Sequence, residues 1–328
     1  MKKKSLAFLL FGIWSSTTIA MSPDTTVYSL NRNNGKTIAN MLTNSYNNIV
    51  DDCGEGKPAY LCSGVTLRGT SPKLGRFALD PSPSSIQSGG VSFSWLRKDA
   101  KFRKLSFNYG NGFIVFNKSI TSSDVDHHLE YLCFYPEDAG TGSRADKGCG
   151  ASSAFPNESG PCQPQGIYTA DQWLSHFRQA PANSNKYQYQ CGFIITENGV
   201  YDGAGAFKQG LLANRLLHSN DLSEQNEIRI ATWSTSQQGY PERFPVQAFF
   251  YIGNDLEATT SSETVSSGIN GARYDQLYFY NRTGIWVPVI RITLPKTVTE
   301  DVKFEFFQSD QRVQESVSLI PVITALLD

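Results

Sequence analysis

The sequence predicts an α+β fold with a β-rich core and a few helices. Aromatic residues make up 12% of the chain, which also holds 27 glycines and 15 prolines. This composition favours strands joined by many turns. Short runs of β-branched and aromatic residues recur along the chain and are mostly bounded by Gly, Pro or Ser. A few stretches instead carry apolar residues at helical spacing.

Residues 1–20 have the pattern of a secretory signal peptide. Three lysines (2–4) precede an apolar run at 6–14, and the small residues Thr18-Ile19-Ala20 follow it. This succession predicts cleavage after Ala20 and a secreted protein, extracellular or periplasmic, with residues 21–328 as a single domain. An N-terminal anchor is the alternative, but the run is far shorter than the roughly 20 residues of a membrane span. We therefore expect no membrane insertion.

The charge of the chain argues against nucleic acid as a partner. The whole sequence has 29 Lys and Arg against 30 Asp and Glu, and removal of residues 1–20 takes away three lysines and no acid. The remaining 26 basic and 30 acidic residues give a net charge of −4. A slightly acidic chain lacks the electrostatic footprint for nucleic acid or an anionic membrane surface.

Six cysteines in an exported chain predict disulfide bonds. No Cys-x-x-Cys spacing occurs and the four histidines do not flank the cysteines in a zinc pattern, so we expect no metal site. A Cys–His nucleophile is the alternative use, but bridges can take up all six thiols. We predict the sequential pairing, which closes short local loops: Cys53–Cys62, Cys133–Cys149 and Cys162–Cys191.

Periodicity places the secondary structure along the chain. Helices are predicted at 36–51, at 169–178 with Thr169 as the N-cap, at 203–218 and at 271–280. A long disulfide-held surface loop is predicted at 136–165, where Gly, Ser, Pro and Ala are frequent. Strands are predicted at 65–70, 91–96, 113–116, 131–135, 191–196, 228–233, 246–252 and 287–292. In the last of these, Pro288 indicates either an edge strand or the start of a strand.

Three short motifs at predicted strands could carry chemistry. Arg68-Gly69 ends one strand, and an arginine fork can bond two oxygens of a diphosphate, although such a pair is usually only a turn. Ser92 and Ser94 lie on one side of the next strand, where they could bind a ribose or simply face solvent. Gln225 and Glu227 share a side at the start of a third strand, which is also a common place for solvated polar residues.

Together these motifs have the order Arg…Ser-x-Ser…Gln-x-Glu and resemble the pattern of ADP-ribosyl-transferring enzymes. The resemblance implies an ADP-ribosyltransferase-like sheet in which Arg68 holds the phosphates of NAD. It implies that Ser92 and Ser94 brace the sheet and the ribose, and that Glu227 stabilises an oxocarbenium-like cation. Gln225 would position an acceptor.

The chain also resembles the halovibrin family of secreted bacterial proteins over nearly all of its mature length, apart from the amino-terminal lead and the tail after about Lys296. The stretches that carry this resemblance are PAYLCSGVTLRGT (58–70), DPSPSSIQSGGVSFSWLR (80–97), SGPCQPQGI (159–167), QNEIRIATW (225–233), PVQAFFYI (245–252) and YDQLYFYNRTG (274–284). The resemblance implies cleavage of the nicotinamide–ribose bond of NAD, with water or a protein of a target cell as acceptor. NAD would be the substrate, with no further cofactor, and the protein would be a toxin-like effector.

A second function class remains open, namely a secreted binding module for carbohydrate or a cell-surface partner. Its support is an aromatic group at positions 274–286, formed by Tyr274, Tyr278, Phe279, Tyr280 and Trp286. Aromatic faces can stack on sugars, although most such residues fill a core.

We predict that the exported protein begins at Met21. Mass spectrometry of secreted protein should show the mass of residues 21–328. A secreted protein that still begins at Met1 would show that the first 20 residues are not a cleaved signal.

Overall fold

The structure of the 328-residue chain is a computed structural model. The residues that it describes are 35–70, 90–105, 109–117, 120–121, 126–139, 148–150, 160–182, 189–233, 245–253, 268–283 and 286–311. The predicted signal peptide and its cleavage site lie outside these ranges. Among the described residues, no helix combines the length and the apolar character that a membrane crossing requires.

Ten strands form one mixed sheet in the described part of the chain. They are β1 (Val65–Gly69), β2 (Val91–Leu96), β3 (Asn111–Val115), β4 (Ile120–Thr121), β5 (Asp126–Tyr135), β6 (Phe193–Ile194), β7 (Glu227–Trp233), β8 (Val246–Ile252), β9 (Val289–Thr293) and β10 (Lys303–Glu305). The order across the sheet is β10-β9-β8-β3-β1-β2-β7-β5-β4, and β6 pairs with β5. Neighbouring strands are antiparallel except β8 and β9, which are parallel.

Within the described ranges, four α-helices accompany the sheet: α1 (Gly35–Asn47), α2 (Ala170–Arg178), α3 (Gly203–Leu217) and α4 (Gly268–Thr283). The start of α2 is fixed by a capping box, in which Thr169 and Gln172 satisfy each other's main-chain amides. The side chain of Asp202 caps α3 by accepting from the amide of Gly205. The α4 helix lies in the connection between the parallel strands β8 and β9, as parallel pairing requires a long crossover.

One face of the sheet is covered by α2, α3 and α4. Apolar residues of these helices form the largest core cluster together with the strand residues that point towards them. In α2, Trp173, Leu174 and Phe177 follow helical spacing and are all buried, so the helix presents one apolar face to this core. In α3, Phe207 contacts the rings of Trp95 and Phe134 edge-on.

The opposite face carries two separate apolar clusters. Ile38, Leu42 and Tyr46 of α1 pack with residues of β1, β3, β8, β9 and β10 in the first of them. The second is smaller and lies over β5 and β7, where it includes Tyr135, Ala139 and Ala231, together with the Cys133–Cys149 disulfide. This face is therefore divided, and the strip between the two clusters is where the predicted site residues lie.

Three disulfides confirm the predicted sequential pairing: Cys53–Cys62, Cys133–Cys149 and Cys162–Cys191. Two of these bridges hold the predicted loop 136–165: Cys149, near its middle, is bonded to Cys133 of β5, and Cys162, near its end, is bonded to Cys191 just before β6. Much of that loop lies outside the described residues, but the short 3₁₀-helix Gln163–Gln165 belongs to it.

The mixed α+β class is confirmed, and most predicted elements occur with shifted ends. The first helix ends at Asn47 rather than at 51, and the predicted strand 191–196 is reduced to Phe193–Ile194. The strand predicted from residue 287 begins only at Val289, after Pro288, because proline has no amide for the ladder. The tail after residue 296, which has no counterpart in the sequence resemblance, contributes β10.

Candidate active site

The three predicted motifs come together at the centre of the sheet, where β1, β2 and β7 are neighbours. Ser94 is paired with Leu67 of β1, and Ser92 is paired with Arg229 of β7. Because paired residues project to the same face, the two serines and the Glu227 end of β7 share the strip between the two apolar clusters. We call this set the central polar strip: Ser92, Ser94, Gln225, Glu227 and Arg229.

Glu227 is the first residue of β7, and it is only 1% exposed. Its Oε1 accepts hydrogen bonds from the hydroxyl of Ser92 and from Nη1 of Arg229, the latter at 3.3 Å. Its Oε2 accepts from the main-chain amide of Ala139 at 3.0 Å. The carboxylate is thus bonded at both oxygens, which a buried charge requires.

Ser94 and Gln225 form a second hydrogen-bonded pair beside Glu227. The hydroxyl of Ser94 donates to the Gln225 side-chain oxygen at 3.0 Å. The Gln225 side-chain nitrogen donates to Asp138 at 3.0 Å, and the Asp138 amide donates to the Gln225 carbonyl at 2.9 Å. Both ends of the Gln225 side chain are therefore engaged inside the protein, and its role in positioning an acceptor stays a prediction.

Asn226, between the two motif residues, joins β7 to β2. Its side-chain oxygen accepts from the Trp95 amide at 2.8 Å, and its side-chain nitrogen donates to the Trp95 carbonyl at 2.7 Å. Main-chain pairing of these strands ends at Phe93 and Ile228. The Asn226 side chain thus continues the connection beyond the ladder and fixes the positions of Gln225 and Glu227.

Arg68 reaches the strip through the main chain of β2. Its Nη1 donates to the Ser92 carbonyl at 2.5 Å, at the point where the pairing of β1 with β2 has already ended at Leu67. Burial lowers the pKa of the half-buried Arg68 guanidinium to about 10, and the positive charge of Arg229 acts in the same direction. The group remains charged at neutral pH.

Arg229 was not among the predicted site residues, although it interrupts an otherwise apolar strand start. Its side chain is 4% exposed and pairs with Glu227. Nη1 also donates to the Ser92 hydroxyl at 3.0 Å, and Nη2 donates to the Gly90 carbonyl at 2.6 Å. Since residues two apart on a strand share a face, the spacing from Glu227 was the available signal.

The segment 136–139, which sequence analysis placed in a surface loop, is braced against the strip on one side and against α3 on the other. Asn214 of α3 donates to the Pro136 carbonyl at 2.6 Å. Glu137 is hydrogen-bonded to His218, while burial raises the pKa of the Glu137 carboxyl and His218 opposes this shift. The segment therefore presents Asp138 and the Ala139 amide to the strip from a fixed position.

The strip lies among apolar neighbours. By register, Leu67 stands on one side of it and Cys133 and Tyr135 on the other. Placing a carboxylate, a guanidinium and three further polar side chains there is unfavourable compared with a continuous apolar core. Such an arrangement is typical of a functional site, where groups with shifted ionisation are concentrated.

Two cavities lined by described residues lie elsewhere. One of about 430 Å³ lies beside Tyr60 and Tyr131, and one of about 460 Å³ lies beside Tyr168 and Tyr201. Neither is lined by a residue of the central polar strip. The reactive side chains lie in the central polar strip, and a cavity without such groups does not make an active site. Residues 71–89 and 140–147, which adjoin the strip along the chain, lie outside the described ranges.

The residues of the strip suit charge stabilisation more than metal binding. Across the part of the chain that the structure describes, no group of three or more His, Cys, Asp or Glu side chains could hold a metal ion. A fixed carboxylate beside hydroxyl donors can stabilise a cation that develops in a bound substrate. A neighbouring guanidinium can bind an anionic part of the same substrate.

In comparisons with known proteins, no family model and no curated protein matches the chain.

We predict that Asn226→Ala lowers the free energy of unfolding by about 1–3 kcal/mol, because it leaves buried main-chain groups of Trp95 without their partners. Urea denaturation at neutral pH measures this change. Asn48→Ala is the matched control, since Asn48 makes one exposed hydrogen bond to the Cys62 carbonyl. An Asn226→Ala midpoint equal to that of the unsubstituted protein would show that Asn226 does not hold β7 to β2.

Proposed function

We propose that this chain is a secreted enzyme that cleaves the nicotinamide–ribose bond of NAD and passes ADP-ribose to water or to a protein acceptor. One observation carries the proposal. A buried carboxylate, Glu227, is held by Ser92 on a strand whose main chain also binds the guanidinium of Arg68. Arg68 and Glu227 thus both bind Ser92 of β2, the first through its main-chain carbonyl and the second through its hydroxyl.

Arg68 supplies the chemistry that a diphosphate requires. Within the described residues its hydrogen bond to the Ser92 carbonyl uses one donor, and no protein partner occupies Nε or Nη2. A planar guanidinium with donors to spare bonds two phosphate oxygens at once. Its pKa of about 10 keeps the positive charge in place at neutral pH.

Glu227 supplies the chemistry that loss of nicotinamide requires. When the bond between the ribose C1′ and the nicotinamide nitrogen breaks, the electron pair leaves with nicotinamide and positive charge develops on the ribose. A fixed carboxylate stabilises that charge, and it does so more strongly away from water. A new C1′–O bond forms when the oxygen of water or of an acceptor attacks C1′ and loses its proton to solvent.

The serines hold these groups in register. Ser92 bonds Glu227 directly and Ser94 bonds Gln225, so the Ser-x-Ser motif links both residues of the Gln-x-Glu motif. This linkage supports the resemblance to ADP-ribosyl-transferring enzymes, and the resemblance to halovibrins agrees with the same reaction. The ADP-ribosyltransferase-like sheet itself stays a prediction.

The alternative, a carbohydrate- or surface-binding module, draws less support from the structure. Of its aromatic residues, Phe279 is buried in the core and packs edge-on against Phe249. Tyr280 and Trp286 pack against each other. The aromatic group therefore does not form one exposed platform.

Purified protein should release nicotinamide from NAD, and Glu227→Gln should lower this rate by about 10²–10³-fold, since the amide keeps the size but loses the charge. Chromatographic quantification of nicotinamide measures the rate. Glu224→Gln is the control, because Glu224 lies three positions upstream in exposed ion pairs with Arg103 and Lys104.

Three further glutamates should be changed in parallel: Glu242, Glu257 and Glu263, all outside the described residues. If one of these variants loses turnover while Glu227→Gln keeps it, the Gln-x-Glu assignment is wrong. If the unsubstituted protein releases no nicotinamide, the proposed function is wrong.

Arg68→Lys should weaken NAD binding by roughly ten- to a hundredfold, because an ammonium cannot form the paired hydrogen bonds of a guanidinium. The Michaelis constant for NAD and calorimetric titration measure this effect, and kcat should change less than KM. Arg103→Lys, on the exposed surface, is the control. An unchanged KM would remove Arg68 from the phosphate site.

A further inference from the structure

We infer that Arg229 is a positioning residue of this site, which directs the hydroxyl of Ser92 towards Glu227 and keeps the Glu227 carboxyl group ionised. Its consequence for catalysis rests on the proposed function. The hydrogen bonds among Arg229, Ser92 and Glu227 do not depend on that function. Arg229 lies two positions after Glu227 on β7 and directly opposite Ser92 of β2, so all three share one face.

The direction of the hydrogen bonds follows from the chemistry of arginine. A guanidinium has only donors, so the Ser92 oxygen must accept from Nη1 of Arg229 at 3.0 Å. A serine hydroxyl has a single proton, and this proton is then left for Oε1 of Glu227. Without Arg229, the hydroxyl could rotate towards other acceptors. Arg229 thus sets the orientation that the Ser-x-Ser motif alone does not determine.

The ionisation of Glu227 depends on the groups around it. Burial disfavours a charged carboxyl, whereas a neighbouring cation favours it. Among the described residues, the charged or titratable groups near Glu227 include its ion-pair partner Arg229 on β7, its register partner Tyr135 on β5, Arg68 of β1 and Asp138, which binds Gln225. Of these, Arg229 is a cation in direct contact with the carboxylate, whereas Arg68 acts on it from beside Ser92.

The two arginines have different tasks. Both Nη atoms of Arg229 are bound to protein: Nη1 to Ser92 and Glu227, and Nη2 to the Gly90 carbonyl. Arg68, with its single hydrogen bond to Ser92, has donors for a ligand. When a diphosphate neutralises Arg68, Arg229 remains as the counter-ion of Glu227. The charge of the carboxylate is then preserved at the moment when the substrate is bound.

The test compares Arg229→Met, Arg229→Lys and the control Arg215→Lys, whose side chain is exposed on α3. The readout is the pH dependence of kcat/KM for nicotinamide release. In Arg229→Met the midpoint of the acid limb should rise by about one unit or more, because the carboxyl has lost its counter-ion. Arg229→Lys should shift the midpoint less but still lower kcat, since the ammonium does not reproduce the fork. KM should change little.

A loss of activity without a shift of the midpoint in Arg229→Met would overturn the inference, because a merely structural residue produces that result. Arg68→Lys should behave in the opposite way, with a changed KM and an unchanged midpoint. If Arg229→Met does not fold, a midpoint in Arg229→Lys equal to that of the unsubstituted protein would overturn the inference as well.

A second measurement does not depend on catalysis. The free energy of unfolding is followed against pH in Arg229→Lys and Arg229→Met, each with and without Glu227→Gln. A raised Glu227 pKa in the folded state gives stability at low pH that is lost as pH rises through that pKa. This slope should appear in Arg229→Met and vanish in Arg229→Met with Glu227→Gln. If the slope is the same in both, Arg229 does not control the ionisation of Glu227.

The two proposals can fail separately. An unsubstituted protein that releases no nicotinamide at any pH contradicts the proposed function, while the pH dependence of unfolding still decides the pairing of Arg229 with Glu227. If the unsubstituted protein releases nicotinamide and the acid limb of Arg229→Met has an unshifted midpoint, the inference about Arg229 is wrong and the proposed function stands.

Discussion

A carboxylate that leaves water must find its hydrogen bonds inside the protein, and the surroundings of Glu227 follow from that requirement. Ser92 and Arg229 satisfy one oxygen and the Ala139 amide satisfies the other. Each of these donors needs its own support. Main-chain pairing places Ser92 opposite Arg229, and the braced segment 136–139 holds the Ala139 amide. The centre of the sheet is thus organised around one negative charge.

The same requirement explains why one face of the sheet has two apolar clusters instead of one. On the opposite face of the sheet the apolar side chains form a single large core. On this face the α1 cluster and the β5–β7 cluster could likewise have met across β2. The central polar strip separates the two clusters, and the fold is less stable than it would be with a continuous apolar core there. Proteins keep such unfavourable groups where function depends on them, and stability is then supplied by the rest of the fold.

Local patterns in the sequence account for part of this arrangement. The period of two placed Ser92 with Ser94 and Gln225 with Glu227. The sequential pairing of the cysteines, chosen because it closes short local loops, is the pairing that the structure has. The order of the strands, which makes β1, β2 and β7 neighbours, is not encoded locally. For the same reason the Ala139 amide, 88 positions from Glu227, had no sequence signal. Short strands such as β10 depend on pairing rather than on composition.

The Cys133–Cys149 disulfide bears on the register between β5 and β7, the strand that carries Glu227 and Arg229. Cys133 stands opposite Arg229, and its Cα lies 5.2 Å from that of Cys149. A slip of β5 by one residue along β7 would turn Cys133 to the other face and away from its partner thiol. The closed bridge therefore holds Cys133 on the face that it shares with Arg229 and Glu227, next to Cys149 in the smaller apolar cluster. A slipped pairing would have to move both half-cystines off the face on which they are buried, so the covalent bond favours the register that gives Glu227 its present neighbours.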